Sequence, residues 1–225
     1  MRYELIAPGP FAMLKVCLDY GESLKAEAGA MIAKSDTVDV YGKMEGGFLK
    51  GLTRMLAGES FFFQTLTASR GPGEVLLAHA IPGDIYPIPL DGSGDYILQK
   101  DGFFAATAEV DISTKVQNLW KGLFSGEGFF VLRASGAGTL FVSSYGMIHP
   151  LDLGDGQEMV VDNGHLVAWP ASMDYKIEKA SSGWISSLTS GEGLVCRFRG
   201  PGRVFIQSRN PTGFAAWIMQ LLPRK

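Results

Sequence analysis

The chain has 225 residues, of which 46% are apolar and 19% charged, and its net charge is −3 with both signs dispersed. That balance describes a globular protein long enough to bury a sizeable core, and it leaves no electrostatic footprint for duplex nucleic acid. No stretch of 18 consecutive apolar residues occurs, so no helix is expected to span a membrane.

Taken in chain order, the N-terminus carries Glu4 and soon meets Pro8 and Pro10, which does not read as a secretory signal. Short apolar or alternating runs then dominate, at residues 12–18, 61–66, 75–80, 129–134, 139–143, 194–198 and 204–207. Rich in Val, Phe and Leu and bounded by glycine or proline, they predict strands of an all-β sandwich or barrel. The 29 glycines suit a turn-rich β protein, because glycine adopts positive φ without steric cost. The turns Gly71-Pro72-Gly73, Gly136-Ala137-Gly138 and Gly200-Pro201-Gly202 read as hairpins. Helical signal is scarce. Phe48, Leu49, Leu52, Met55 and Leu56 fall on one helical face, and residues 212–222 predict a C-terminal helix closed by Pro223, with Thr212 as its N-cap. Cys17 and Cys196 lie far apart in strand-like runs, so two reduced thiols in a cytoplasmic protein are expected.

A set of landmarks recurs three times in one order. Gly29, Gly102 and Gly164 are each preceded eight residues earlier by Gly21, Gly94 and Gly156, and five earlier by Leu24, Ile97 and Met159. The triplets Val38-Asp39-Val40, Val110-Asp111-Ile112 and Met173-Asp174-Tyr175 follow. An apolar connector comes next: the segment from Phe48, then Leu119-Trp120-Lys121-Gly122-Leu123-Phe124, then Trp184-Ile185-Ser186-Ser187-Leu188. Each connector leads to a Gly-Glu pair, with Glu59, Glu127 and Glu192, and then to a Gly-x-Gly turn. The spacing predicts one body of three β repeats, about 1–91, 92–152 and 153–225. No linker-like segment separates them.

Residues 26–32 (Ala-Glu-Ala-Gly-Ala-Met-Ile), the connector Phe48–Leu52 with Gly58-Glu59-Ser60-Phe61-Phe62, and Gly126-Glu127-Gly128-Phe129-Phe130 carry a resemblance. The chain resembles the altered-inheritance-of-mitochondria family of TRAP-like β proteins, from about Leu24 to Trp217. The resemblance implies tandem modules like those of the tryptophan RNA-binding attenuation protein, a double-stranded β-helix or sandwich variant, and assembly into homo-oligomers. It implies no agreed enzymatic activity. Fungal relatives are mitochondrial; the N-terminus here has no transit-like character, so the cytoplasmic expectation stands.

Reactive constellations are hard to find. His79, His149 and His165 show no His-x-His or His-Glu-x-x-His spacing, and the cupin pattern is absent. The three repeated glutamates could converge on a cation if a pseudo-threefold axis related the units, although turn chemistry alone accounts for Gly-Glu. Asp39, Asp111 and Asp174 should face outward by strand alternation. No nucleophile elbow or phosphate loop occurs. No cofactor is expected.

Single-stranded RNA binding, the alternative that the resemblance brings, would use Arg133, Arg197, Arg199 and Arg203 beside Phe198 and Phe205. The net negative charge disfavours nucleic acid. A second alternative is a cupin-like metal or small-molecule site. The leading expectation is a non-enzymatic oligomeric β scaffold or binding protein. Its candidate contact residues are Phe48, Leu49, Leu52, Met55, Trp120, Phe124, Trp184 and Ile185, as module caps, a self-association surface or a peripheral membrane contact. Open β edges invite pairing, so a homo-oligomer is expected, and three internal units favour a trimer.

Overall fold

The computed structural model describes residues 1–44, 62–99, 101–116, 130–179 and 194–222. The eight apolar connector residues named above and Glu59, Glu127 and Glu192 lie outside these described residues. The fold is all-β, with one α-helix at the C-terminal end of the described chain.

An N-terminal strand, β1 (Arg2–Ile6), precedes three blocks of six strands. The first block holds β2 (Met13–Leu18), β3 (Ser23–Glu27), β4 (Met31–Lys34), β5 (Asp39–Met44), β6 (Phe62–Thr67) and β7 (Gly73–Ala78). The second holds β8 (Ile85–Asp91), β9 (Tyr96–Gln99), β10 (Phe103–Thr107), β11 (Asp111–Val116), β12 (Phe130–Ser135) and β13 (Ala137–Ser143). The third holds β14 (Ile148–Leu153), β15 (Glu158–Asp162), β16 (Leu166–Pro170), β17 (Asp174–Lys179), β18 (Leu194–Arg199) and β19 (Gly202–Gln207). A 3-10 turn (Asn163–His165) precedes β16, and α1 (Pro211–Leu221) follows β19, the one α-helix among the described residues. The strands form where the sequence alternates. In β2, Leu14, Val16 and Leu18 are buried while Met13, Lys15 and Cys17 are half-buried on the other face.

One pairing scheme recurs in every block. The first strand pairs with the sixth, and the sixth with the third. The second pairs with the fifth, and the fifth with the fourth. All these ladders are antiparallel, so each block is a pair of three-stranded sheets. Two junctions then join neighbouring blocks: β3 pairs with β10, and β9 pairs with β16. In both, the second strand of one block adds to the third strand of the next. The outcome is two six-stranded sheets that run across block boundaries.

The cores follow the junctions. The cluster built on Leu14, Leu24 and Leu77 is completed by Phe104 and Phe141 of the second block. The second cluster takes in Phe63 from the first block and Val167 and Phe205 from the third. The third, around Trp169 and Phe198, includes Ile97 and Val131 of the second block. No block buries its apolar face alone.

Three local expectations are corrected. The Gly-Pro-Gly and Gly-Ala-Gly turns are not hairpins, because β6 and β7, β12 and β13, and β18 and β19 lie in different sheets; the turns carry the chain from one layer to the other. The N-cap of α1 is Asn210, whose Oδ1 accepts from the Thr212 and Gly213 amides, not Thr212. The third correction concerns the glycine alignment. Each third strand has a bulge at the same place, at Met31/Ala33, Phe103/Ala105 and Leu166/Ala168. Counting back two residues from Met31, Phe103 and Leu166 gives Gly29, Asp101 and Gly164, so Gly102 occupies the place of Ala30 and His165. Ala78 and Ser143 accordingly donate to the carbonyls of Ala30 and Gly102. Gly102 is glycine for another reason: a Cβ there would sit 2.7 Å from the Val167 carbonyl oxygen of the neighbouring block. The repeated aspartates do coincide structurally, each opening a fourth strand.

The crossings between blocks are tied together at Asp84. Its Oδ1 accepts from the Gly9 and Ile85 amides at 2.9 Å each, and its Oδ2 from the Ile148 amide at 3.3 Å. Next to it, Gly83 bridges to Gly146 of the following crossing.

Candidate functional site

The third strand of each block has the same partners on one side and differs on the other. In β10 and β16 the junction supplies a second neighbour, β3 or β9. The bulge residues there, Phe104 and Val167, are 0% and 1% exposed. Their counterpart in β4, Ile32, is 53% exposed. Ala105 and Ala168 are fully buried, whereas Ala33 is exposed. Among the described residues β4 pairs only with β7. At the other end of the chain β15 holds the position of β3 and β9, and among the described residues it pairs only with β18. Among the described residues there is therefore one third-strand edge without a donor and one second-strand edge without an acceptor.

The edges at β8, β14 and β17 are of a different kind. β8 contains Pro87 and Pro89 and β14 contains Pro150, residues that cannot donate to a ladder. β17 carries Asp174, Lys176 and Glu178 along its length, and β1, also an edge, carries Arg2 and Glu4. Proline and charge are how soluble proteins blunt an edge. In β4 (Met-Ile-Ala-Lys) and β15 (Glu-Met-Val-Val-Asp) the central residues are apolar and proline is absent. A second uncovered apolar surface is α1, which contains no buried residue and leaves Trp217 53% exposed. Its Phe214 rests against Tyr145, ring centroids 5.5 Å apart.

The four arginines do not form an open basic face. Arg133 is ion-paired with Asp95, Arg197 with Glu178 and Glu158, and Arg203 forks onto both oxygens of Asp152 at 2.5 and 2.8 Å. The Arg203 guanidinium beside Asp152 holds that carboxyl below its usual range. Arg199, exposed, is opposite Asp174 and Glu158 in the ladders.

The histidines stand apart. His79 Nδ1 lies 2.9 Å from Glu27 Oε2, against the ring of Phe104. His149 is exposed on β14, and His165 Nδ1 lies 2.7 Å from the Gln207 carbonyl oxygen. Among the described residues no three His, Cys, Asp or Glu side chains are grouped to hold a metal. Asp111 and Asp174 face solvent as alternation predicts, whereas Asp39 is half-buried between Ser69 and Arg70. Cys17 and Cys196 are both free thiols. A cleft of about 170 Å³ with a mixed lining opens where the ends of β7, β13 and β19 meet, with His79, Gln99, Ser143 and Asn163 beside Ile81 and Leu166. Among the described residues the buried Ser143 hydroxyl has no hydrogen-bond partner.

The model of the family described as "Mitochondrial biogenesis AIM24" matches residues 3–209. The chain belongs to this family. An uncharacterised family relative from Streptococcus pyogenes serotype M6 is 35% identical over 231 residues, covering 99% of this chain and 92% of its own length. The fungal "Altered inheritance of mitochondria protein 24, mitochondrial" of Verticillium alfalfae is 29% identical over 174 residues, which are 76% of this chain and 44% of that protein. The crystal structure of a Streptococcus pyogenes protein solved by structural genomics superposes with a TM-score of 0.80 at 33% identity, over 98% of this chain and 99% of that one. No helix of the described residues is long and apolar enough to cross a membrane.

Sequence reasoning did not find the two edge strands. The one signal that could have exposed them was the order of the blocks itself: in any chain of repeats joined end to end, the first and last each keep one unused joining strand.

Proposed function

We propose that this AIM24-family protein is a non-enzymatic, self-associating β scaffold, working through surfaces and not through a reactive centre. The observation that carries the reading is the contrast at one repeated position: Ile32 is 53% exposed where Phe104 and Val167 are buried. An apolar residue that is core in two blocks and solvent-facing in the third is what remains when a covering strand is missing. Edges that lack proline and are apolar at their centre invite strand addition from another chain. The tandem TRAP-like modules and the trimer belong to the same proposal, as does cytoplasmic residence, for which the two free cysteines speak. The connector residues, Trp120 and Trp184 among them, would add contacts to the same assembly.

The test is mass in solution, by light scattering and native mass spectrometry at tens of micromolar. A multiple of 24.3 kDa is expected. A single 24.3 kDa species throughout would refute self-association. Trp120→Asp and Trp184→Asp, measured alongside, separate connector contacts from edge contacts.

A further inference from the structure

We infer that copies of this chain join head to tail, β15 of one copy adding to β4 of the next in the register of the internal junctions. The inference rests on the self-association reading and specifies its surface, polarity and residue pairing.

The two internal junctions supply the template. Opposite their fifth strands, Ala26, Leu98 and Val161 hold one position, facing Gln64, Leu132 and Cys196. Across the junctions Ala26 faces Ala105 and Leu98 faces Ala168. The counterpart of Ala105 and Ala168 in β4 is Ala33, so Val161 of one copy falls opposite Ala33 of the next. The adjacent pairs follow from Lys25 with Ala106 and Ile97 with Trp169, which give Val160 opposite Lys34. Leu24 with Thr107 and Tyr96 with Pro170 give Met159 opposite Ser35.

Charge agrees with this register. Lys34 shares the face of Val160, and by strand alternation Glu158 and Asp162 share it too. A cation on the accepting edge thus lies diagonal to two acids on the donating edge, within the reach of long side chains. The bulge puts Ile32 where Phe104 and Val167 enter the neighbouring block, so joining would bury it. The joined sheet would have seven strands, β17-β18-β15 of one copy continuing into β4-β7-β2-β1 of the next, against six at each internal junction. Because donor and acceptor surfaces differ, the contact is heterologous and propagates until the rotation closes a ring or runs on as a filament.

The experiment uses Lys34→Cys and Val160→Cys, each in the full chain with Cys17→Ser. Mixed under mild oxidation, the two variants should give a covalent dimer, while either alone should give little, because the pairing is not symmetric. Separately, Ile32→Asp, a substitution at a position exposed in the single chain, should keep the far-ultraviolet circular dichroism spectrum and weaken association at least tenfold. A cross-link that forms within one chain of the doubly substituted protein overturns the inference, since the two edges would then meet intramolecularly. An oligomeric wild type with no cross-link and no response to Ile32→Asp overturns it too, while leaving self-association by other surfaces intact. A monomeric wild type removes both readings.

Discussion

Asp84 offers the sharpest test of how the blocks are held together. Its carboxylate takes three backbone amides, from Gly9, Ile85 and Ile148, which belong to the N-terminal segment, the start of β8 and the start of β14. Replacing Asp84 by Ala leaves these donors without that acceptor. A net contribution of about 1 kcal/mol for each bond, with some penalty for donors that water does not reach, gives a loss of about 3 kcal/mol. Asp84→Asn should cost about 1 kcal/mol, because an amide oxygen can keep the two 2.9 Å bonds while the Ile148 amide then faces an N–H group. Urea denaturation followed by circular dichroism reads both, as a shift of midpoint with unchanged slope. The reasoning fails if Asp84→Ala unfolds within 0.5 kcal/mol or so of the wild type, the usual range of an inconsequential surface change. It also fails if the Asn variant is as damaged as the Ala variant, since the retained oxygen would then count for nothing.

Other expectations follow from single residues. Burial in the third core, with the Asp162 carboxylate nearby, pushes the Cys196 thiol up to about 12. At pH 8 iodoacetamide should therefore modify partly exposed Cys17 and spare Cys196 until the protein is denatured, which peptide mass spectrometry can follow. The same shift favours the protonated form when folded, so between the ordinary thiol range near pH 9 and about 12 the unfolded chain holds fewer protons and stability should fall as pH rises. Denaturation midpoints at pH 8 and pH 10 check the sign, with Cys196→Ala removing the slope. Trp169 is fully buried between Tyr175 and Phe198 at centroid distances of 5.3 and 5.5 Å, and its indole N–H has no partner among the described residues. Trp169→Phe should lie within about 1 kcal/mol of wild type, because relief of the unpaired donor offsets the lost volume, whereas Trp169→Ala should cost about 3–5 kcal/mol. Gly83→Ala should be among the most damaging single-atom additions, since the new Cβ would lie on the Ser144 carbonyl oxygen, a backbone atom with little room to yield; loss of soluble expression or a large fall in melting temperature is the readout.

The strand content and the family resemblance were legible from the chain alone. Period-2 runs such as Met13–Leu18 record which face is dry, and that is a local property of side chains. The repeated Asp39, Asp111 and Asp174 were also readable, because each starts the same strand in its block. Gly102 misled the alignment by one residue because a close approach from another block, not a turn of its own, requires its missing side chain. The hairpin reading of the Gly-x-Gly turns failed for a related reason. A tight turn shows that the chain reverses, but not whether the two strands then share a sheet. Strand neighbours are joined by backbone hydrogen bonds, which are the same for every residue type but proline, so the letters did not say that β3 meets β10 or that β4, paired with β7, has no second neighbour among the described residues. Sequence alone determined that the chain is an all-β protein built on recurring landmarks; only the tertiary structure decided which joining strands pair within the chain and which two, β4 and β15, keep a free side among the described residues, because that depends on how successive blocks stack in space.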